Sequence, residues 1–188
     1  FDFVMTGVGL PIGTQLTTVT GTDSEVFMNL DPDNTYSINE TPIPAGWVKT
    51  GAVCDNGDPV TAITPNAGEE ITCTFTNSKP AAQIDVTPLT ATNKVGDNHI
   101  ITATVQTHNG DGVWGSAVDG TVVTFSIVNS NGATAIFVGG NTCTTTAGSC
   151  LITINSPTAG HVVVNASATP VVLGVNLPVS TGTGGDNS

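Results

Sequence analysis

The four cysteines are the residues of this sequence whose chemistry is easiest to predict. They are Cys54, Cys73, Cys143 and Cys150. Four cysteines allow three pairings, and because two stand in each half of the chain we predict the pairs Cys54–Cys73 and Cys143–Cys150. No two cysteines have C-x-x-C spacing and no histidine accompanies them, which disfavours zinc; four buried free thiols are the alternative. Disulfides would place the protein in an oxidising compartment outside the cytoplasm.

The remaining reactive side chains form no recognisable catalytic motif. The three histidines, His99, His108 and His161, each stand alone, and no serine or cysteine nucleophile occurs in a recognisable turn motif. The adjacent carboxylates Glu69 and Glu70 would point to opposite faces of a strand. No phosphate-binding glycine loop with a lysine is present. We therefore expect a protein that is not an enzyme.

Aspartates in predicted turns are the groups that could bind a metal ion. Calcium takes six to eight oxygen ligands, and no complete EF-hand spacing occurs. Ordinary turn aspartates are the alternative, so we predict no cofactor and name calcium as the ion that the composition would allow. The aspartates concerned are Asp31, Asp33, Asp55, Asp58, Asp97 and Asp111.

The charge of the chain excludes several classes of partner. Three lysines, no arginine and 15 acidic residues give a net charge of −12. Nucleic-acid binding and polybasic membrane attachment both need clustered basic residues. No run of about 18 apolar residues predicts membrane insertion. Residues 1–4 also lack the positive start of a signal peptide, which indicates a mature product or a piece of a longer chain.

Apolar and polar residues alternate in short stretches throughout the sequence. In residues 68–77, for example, Ile71, Cys73 and Phe75 alternate with threonines, which is the pattern of a half-buried strand. We find no helix-period run, so we predict an all-β protein with two tandem β-sandwich domains. The break at Ser78–Ala82 separates a first domain, 1–79, from a second, 80–180, and a glycine-rich tail, 181–188.

The predicted strands number seven in the first domain and eight in the second. Cys143 and Cys150 would form a cross-strand bridge in a hairpin that turns at 146–148. The first-domain strands are 1–7, 14–20, 24–30, 35–40, 47–54, 60–63 and 68–77. The second-domain strands are 83–87, 100–107, 121–128, 133–138, 142–145, 149–155, 161–169 and 171–179.

The first domain carries three motifs in a characteristic order: YSINETPIPAGW, then VC, then GEEITCTFTNSKP. They resemble the prealbumin-like B-type domains of bacterial surface proteins, the SpaA and Cna B-type group. Many members of that group form a Lys–Asn isopeptide bond with the help of an acidic residue. The resemblance implies Asn77 as the acceptor and Glu40 as the acid; ordinary strand-end roles are the alternative. The lysine would lie on a first strand that is missing here, since the first lysine is Lys49.

A missing strand would leave a sheet edge open, which natural proteins rarely tolerate. We therefore expect either that the natural chain is longer upstream or that a neighbouring subunit supplies a strand by β-augmentation.

The second domain is marked by ATNKVGDNH, GTVVTFSIVNSNGA and CTTTAGSCLITINSPTAGHVVVNASA. These stretches resemble the bacterial Ig-like domains of invasin- and intimin-type adhesins, in which such domains act mostly as spacers. A glycine-rich loop at 108–115 carries Asp111 and Trp114, which we predict to be the place where a ligand would bind.

Together these features predict an extracellular or cell-surface structural protein. It would be a subunit or repeat of a stalk, fibre or filament that associates with itself or with neighbouring repeats by strand addition. The alternatives are an adhesin module that binds a host or surface ligand through its loops, and an accessory domain of an enzyme, for example one that binds carbohydrate.

Overall fold

The computed structural model describes residues 1–10, 15–17, 24 and 26–182, with the backbone alone for 15–17. The chain divides into two compact units, Phe1–Lys79 and Pro80–Ser188. All regular structure in the described residues is β, as predicted. Within them no helix is long and apolar enough to cross a membrane. Most of the predicted strand 14–20 and the last six residues of the predicted tail lie outside the described residues.

The first unit contains two separate ladders of antiparallel strands. One sheet has the order β2-β1-β3, and β4 pairs with β5. Phe3 lies opposite Glu40 in the first ladder, and Cys54 lies opposite Cys73 in the second. The strands are β1 (Asp2–Thr6), β2 (Gln15–Thr17), β3 (Ser37–Glu40), β4 (Val48–Cys54) and β5 (Cys73–Ser78).

Tyr36 is the largest side chain in the buried core of the first unit. Its ring packs with the buried residues Met5, Cys54, Val60 and Ile63. Its hydroxyl accepts a hydrogen bond from the backbone N–H of Asp31 at 2.8 Å. Burial of such a side chain contributes roughly 1.5–3 kcal/mol, so the core holds the two ladders together.

Three predicted strands of the first unit are wrong in whole or in part. The described residues of 24–30 form no strand. Residues 60–63 form a turn that hydrogen-bonds to Tyr36 and Ile38 instead. The strand predicted from residue 68 begins at Cys73, because Gly68 has a φ of 78° and the N–H of Glu69 bonds back to Asn66 in a turn.

Among the described residues, the second unit contains a five-stranded sheet, a four-stranded sheet and the separate two-stranded ladder β14-β15. The first has the order β10-β12-β7-β6, with β8 also paired to β7, and the second has the order β11-β9-β13-β16. The strands are β6 (Ala81–Thr87), β7 (Asn98–His108), β8 (Gly115–Ser116), β9 (Val122–Ser130), β10 (Ile136–Val138), β11 (Thr142–Thr144), β12 (Ser149–Asn155), β13 (His161–Ala168), β14 (Val171–Val172), β15 (Val175–Asn176) and β16 (Val179–Ser180).

The two larger sheets of the second unit pack face to face. Ile84 and Val105 from one sheet share a core with Val123 and Phe125 from the other, and all four are almost completely buried. Each strand that contributes to this core alternates buried and outward positions, as in β7 and β9. The fold is therefore the β-sandwich that the alternation predicts.

Two details of the second unit differ from the prediction. Residues 171–179 form a hairpin and a separate short strand, because Leu173 and Gly174 both have positive φ, 50° and 78°, as a two-residue hairpin turn requires. Strands β11 and β12 belong to different sheets. The Cys143–Cys150 bond therefore links the two sheets and is not a bridge within one hairpin ladder.

The end of the described chain is packed against the second sandwich. Thr181, which the sequence assigns to the tail, is buried. Its hydroxyl accepts a hydrogen bond from the N–H of Ala166 at 2.9 Å, so the packed part of the second unit reaches Thr181.

Candidate functional site

The structure brings Glu40 and Asn77 into direct contact. Glu40 ends β3 and is 4% exposed, and Asn77 lies near the end of β5. The side-chain amide of Asn77 donates a hydrogen bond to Oε1 of Glu40 at 2.5 Å. The two residues that the sequence singles out on different strands therefore form one buried pair.

Each side chain of this pair has one buried oxygen that accepts no hydrogen bond. They are Oε2 of Glu40 and Oδ1 of Asn77, counted against the described part of the chain. A buried polar group without a partner costs about 1–3 kcal/mol, and more when it is charged. Both atoms are acceptors when the carboxyl group is ionised, so the pair is suited to a hydrogen-bond donor, and above all to a cation.

Aromatic side chains lie on or next to the strands that carry the pair. Phe3 lies opposite Glu40 in the β1–β3 register, and its ring meets that of Phe75 edge to face, with centroids 5.0 Å apart. Phe1 and Trp47 form a second such contact at 5.1 Å. Because Glu40 is buried, its carboxyl group is poorly solvated, which raises the cost of leaving its oxygens without donors.

A groove of about 1120 Å³ runs along the first unit and includes Asn77 in its wall. Its apolar lining includes Phe3 and Met5 of β1, Phe75 of β5, and Phe1 and Trp47 next to the strands; glutamate, asparagine and threonine side chains line it too. Among the described residues, the groove therefore reaches Asn77 of the pair, and Glu40 is not part of its wall.

A β-bulge in β4 decides which residue lies opposite Asn77. Cys54 pairs with Cys73, but the register shifts between Lys49 and Gly51, so Lys49 faces Asn77 and Thr50 is the extra residue. The Lys49 ammonium lies 5.9 Å from the centre of the Phe75 ring. Sequence reasoning did not identify Lys49 as a neighbour of this pair, because the bulge has no clear sequence signal.

Both disulfides have the predicted pairing. Cys54 and Cys73 join β4 to β5 directly across the ladder, with Cα atoms 4.0 Å apart. Cys143 and Cys150 have Cα atoms 5.9 Å apart. The Cys54–Cys73 bond lies in the same ladder as Asn77. It fixes the strand register at one end of that ladder, and the bulge shifts the register between Lys49 and Gly51.

The glycine-rich loop at 108–115, before β8, carries Trp114, whose indole is partly exposed to solvent. Trp114 is 39% exposed, and its ring lies perpendicular to that of His108, with centroids 4.5 Å apart. Oδ1 of Asp111 accepts the N–H of Val113 at 2.8 Å. Asp111 therefore braces the loop, which presents Trp114 together with the more exposed Val113.

The turn aspartates of the first unit accept backbone hydrogen bonds, from their own turn or from a neighbouring segment. Asp31 accepts the N–H of Asp33, and Asp55 accepts the N–H of Thr72. Hydrogen bonds from the N–H of Thr64, then from its hydroxyl and from Asn56, lower the pKa of Asp58. No three His, Cys, Asp or Glu residues in the described part of the chain form a group that could hold a metal ion.

Comparison with known proteins gives one match. The SpaA_4 family model, a prealbumin-like fold domain, matches residues 1–79, the same span as the first unit. This supports the resemblance of the first unit to SpaA-type domains of bacterial surface proteins. No curated protein and no solved structure matches the chain. The invasin- and intimin-type resemblance of the second unit has no support from these comparisons.

Proposed function

We propose that this chain is a structural module of an extracellular bacterial surface assembly, and that its first unit accepts a β-strand from a preceding segment or a neighbouring subunit. The observation that carries the proposal is the buried Glu40–Asn77 pair, which has two unpartnered oxygens and whose Asn77 lines a groove of the first unit. The match of residues 1–79 to a prealbumin-like domain supports a surface module of this kind, and we propose that this module has no enzymatic activity.

The proposed strand enters the groove between the two ladders of the first unit. Among the described strands, β5 pairs on one side with β4 and on its other side with no strand. Such an edge offers a row of backbone donors and acceptors to an incoming strand. The apolar lining of the groove would receive every second side chain of that strand, because successive side chains point to opposite faces.

The incoming strand carries a lysine opposite the Glu40–Asn77 pair. A lysine ammonium has three donors, enough to serve both unpartnered oxygens and to neutralise the carboxylate. The resemblance to the SpaA group extends this to an amide bond. The uncharged lysine nitrogen attacks the side-chain carbonyl carbon of Asn77, the bond from that carbon to Nδ2 breaks, and ammonia leaves. Glu40 relays the proton, since it already contacts Nδ2.

A pair of synthetic peptides tests the lysine strand. Each is about nine residues of alternating valine and threonine, with one inward-facing position occupied by lysine or by methionine. We expect the lysine peptide to bind the whole chain at least tenfold more tightly, because removing one partner of a buried charge pair costs about 2–5 kcal/mol. Isothermal titration measures binding, and intact mass detects a covalent product that has lost one ammonia.

Two variants with the same change of charge complete this experiment. Glu40→Gln should abolish the preference for lysine, whereas Asp58→Asn, an acid in an exposed turn of the same unit, should leave it unchanged. Equal affinity for both peptides, or an unchanged preference in Glu40→Gln, would refute the lysine strand. Binding without any loss of ammonia would refute the amide bond alone.

The second candidate function is adhesion through the loop that presents Trp114. Its indole is 39% exposed, and tryptophan is among the side chains that most often dominate binding surfaces. Arrays of matrix proteins and neutral oligosaccharides, probed with the wild-type chain and with Trp114→Ala, test this. We expect a specific signal that the variant reduces at least tenfold, and a signal that Trp114→Ala leaves intact would exclude this loop.

A further inference from the structure

The loop that follows β7 contains an asparagine whose neighbours are arranged for a reaction with its own backbone. An asparagine that precedes a glycine can lose its side-chain amide when the peptide nitrogen of the glycine attacks the side-chain carbonyl carbon. Glycine favours this ring closure because it has no Cβ and its backbone adapts easily. The sequence has three such pairs: Asn56-Gly57, Asn109-Gly110 and Asn131-Gly132.

Two of these pairs have the same local fold and can be compared directly. Oδ1 of Asn109 accepts the N–H of Asp111 at 3.3 Å, and Oδ1 of Asn56 accepts the N–H of Asp58 at 3.0 Å. Each bond folds the asparagine side chain onto the peptide unit of the following glycine. It also donates to the oxygen on which negative charge develops during attack. Both asparagines are exposed, so water has access to both.

The two pairs differ in the partner of the glycine N–H, which carries the proton that must leave. The N–H of Gly110 donates to Nδ1 of His108 at 3.1 Å, within the distance at which a side chain can act as a general base. The N–H of Gly57 donates instead to the backbone carbonyl of Cys54, also at 3.1 Å. A carbonyl oxygen is a far weaker base than an imidazole nitrogen. Of these two glycines, Gly110 is therefore the one whose partner can take its proton.

The His108 ring has a defined place in the fold. His108 is the last residue of β7, where it pairs with Ala81 of β6. Its ring packs edge to face against Trp114, with centroids 4.5 Å apart. Because Nδ1 accepts the N–H of Gly110, the neutral ring carries its proton on Nε2. The basic nitrogen is thus held towards the peptide nitrogen that would react.

We propose that Asn109 is a site of self-modification, at which His108 promotes the loss of the side-chain amide. His108 takes the proton from the Gly110 nitrogen as that nitrogen bonds to Cγ of Asn109. The bond from Cγ to Nδ2 breaks, and Nδ2 leaves as ammonia with the proton that His108 received. Water then opens the resulting succinimide ring at one of its two carbonyl carbons, which yields aspartate or isoaspartate.

This reaction changes the loop that presents Trp114. Each event replaces a neutral amide by a carboxylate two residues before Asp111, and isoaspartate also adds a methylene group to the backbone. Because water is the one co-reactant, the modified fraction rises with the age of the protein. The reaction uses no residue of the strand site proposed for the first unit, so either proposal can fail without the other.

Timed incubation of the whole chain near neutral pH tests this proposal. Tandem mass spectrometry of chymotryptic peptides measures the modified fraction at Asn109 and at Asn56 in the same molecules. We expect Asn109 to react roughly tenfold or more faster than Asn56, as general-base catalysis would allow. Equal rates at the two sites in the folded chain, or a difference of the same size in strong denaturant, would overturn the proposal.

Histidine variants isolate the base. The comparison of two sites does not do so alone, because Nδ2 of Asn56 also donates to the carboxylate of Asp58 at 3.0 Å. His108→Phe keeps a ring against Trp114 and removes Nδ1, so it should slow the reaction at Asn109 roughly tenfold or more and leave Asn56 unchanged. His108→Gln, which keeps an acceptor but not a base, replaces this variant if it unfolds.

The matched control is His161→Phe. This variant removes another histidine of the same unit, whose Nδ1 lies 3.4 Å from the hydroxyl oxygen of Ser130, and it should leave the rate at Asn109 unchanged. An unchanged rate at Asn109 in the His108 variants, or an equal loss of rate in His161→Phe, would show that His108 is not the base.

Discussion

At the scale of single residues, the Glu40–Asn77 pair shows what a motif can predict. Their identities and their roles as a pair follow from the resemblance of the first domain, and the contact between them is present in the structure. Their surroundings do not follow from the motif. Phe3 and Phe75 come together because two ladders close on one core, and the sequence gives no measure of that packing.

The position of Lys49 opposite Asn77 could not be predicted from the sequence. Continuous pairing from Cys54–Cys73 would put Thr50 opposite Asn77, and the bulge puts Lys49 there instead. Pairing register depends on backbone geometry over the whole ladder. A one-residue shift in register places the charged Lys49 opposite a different residue. The local alternation of apolar and polar residues does not reveal such a shift.

Gly160 is a residue whose size is fixed by a close approach between two loops. A Cβ atom at this position would lie 2.1 Å from the backbone nitrogen of Ala133. We expect Gly160→Ala to destabilise the second unit by about 2 kcal/mol or more, as overpacking against rigid atoms does. For a unit of this size, that lowers Tm by about 8 °C, measured by scanning calorimetry.

The matched control for Gly160→Ala is Gly115→Ala. A Cβ at Gly115 meets nothing within 4 Å, so this variant should stay within about 0.5 kcal/mol of the wild type. Equal loss of stability in both variants would show that glycine flexibility, and not the contact with Ala133, explains the result.

At the scale of elements, strands that cross the sandwich core were predictable. Strands β7, β9, β12 and β13 all lie within two or three residues of the predicted bounds. Each carries a long alternation in which the positions that face the core are apolar, as in Ile101, Ala103 and Val105 of β7. A period of two over seven or more residues has few competing explanations.

Short apolar runs predicted strands less well than the long alternating stretches did. Residues 60–63 read as a strand because Val60 and Ile63 are apolar, and both side chains are indeed buried. They reach the core from a turn, which the pattern cannot distinguish from a strand of four residues. The hairpin at 171–176 was missed for another reason: its turn is Leu173-Gly174, and leucine rarely adopts a positive φ.

The placement of the Cys143–Cys150 bond shows the same limit. Thr146 and Ser149 exchange two backbone hydrogen bonds around a tight turn, which is the local feature that the sequence predicts. On either side of that turn, β11 and β12 pair with strands of different sheets. Pairing of cysteines was predictable from their distribution, whereas the layer that each strand joins depends on the whole sandwich.

At the scale of the whole molecule, charge is distributed unequally between the two units. The sequence has ten acidic residues and two lysines in 1–79, which gives −8, and five acidic residues and one lysine in 80–188, which gives −4. The first unit is also the shorter of the two. Self-repulsion destabilises a compact state, and it should therefore weigh more on the first unit.

Salt should therefore stabilise the first unit more than the second. Raising NaCl from about 0.01 to about 0.1 M shortens the Debye length from about 30 to about 10 Å. We expect Tm of the first unit to rise by several degrees and Tm of the second by less. Each unit has one tryptophan, Trp47 or Trp114, so fluorescence melting of Trp114→Phe reports on the first unit and that of Trp47→Phe on the second.

Calcium chloride at matched ionic strength separates screening from binding. If screening alone acts, NaCl and CaCl₂ should raise the Tm of each unit to the same extent, because the turn aspartates of the first unit already accept backbone hydrogen bonds. A further rise with calcium that is confined to one unit would show a calcium site there. Equal shifts of both units with NaCl would contradict the argument from charge distribution, because repulsion within the first unit would then contribute no more than repulsion within the second.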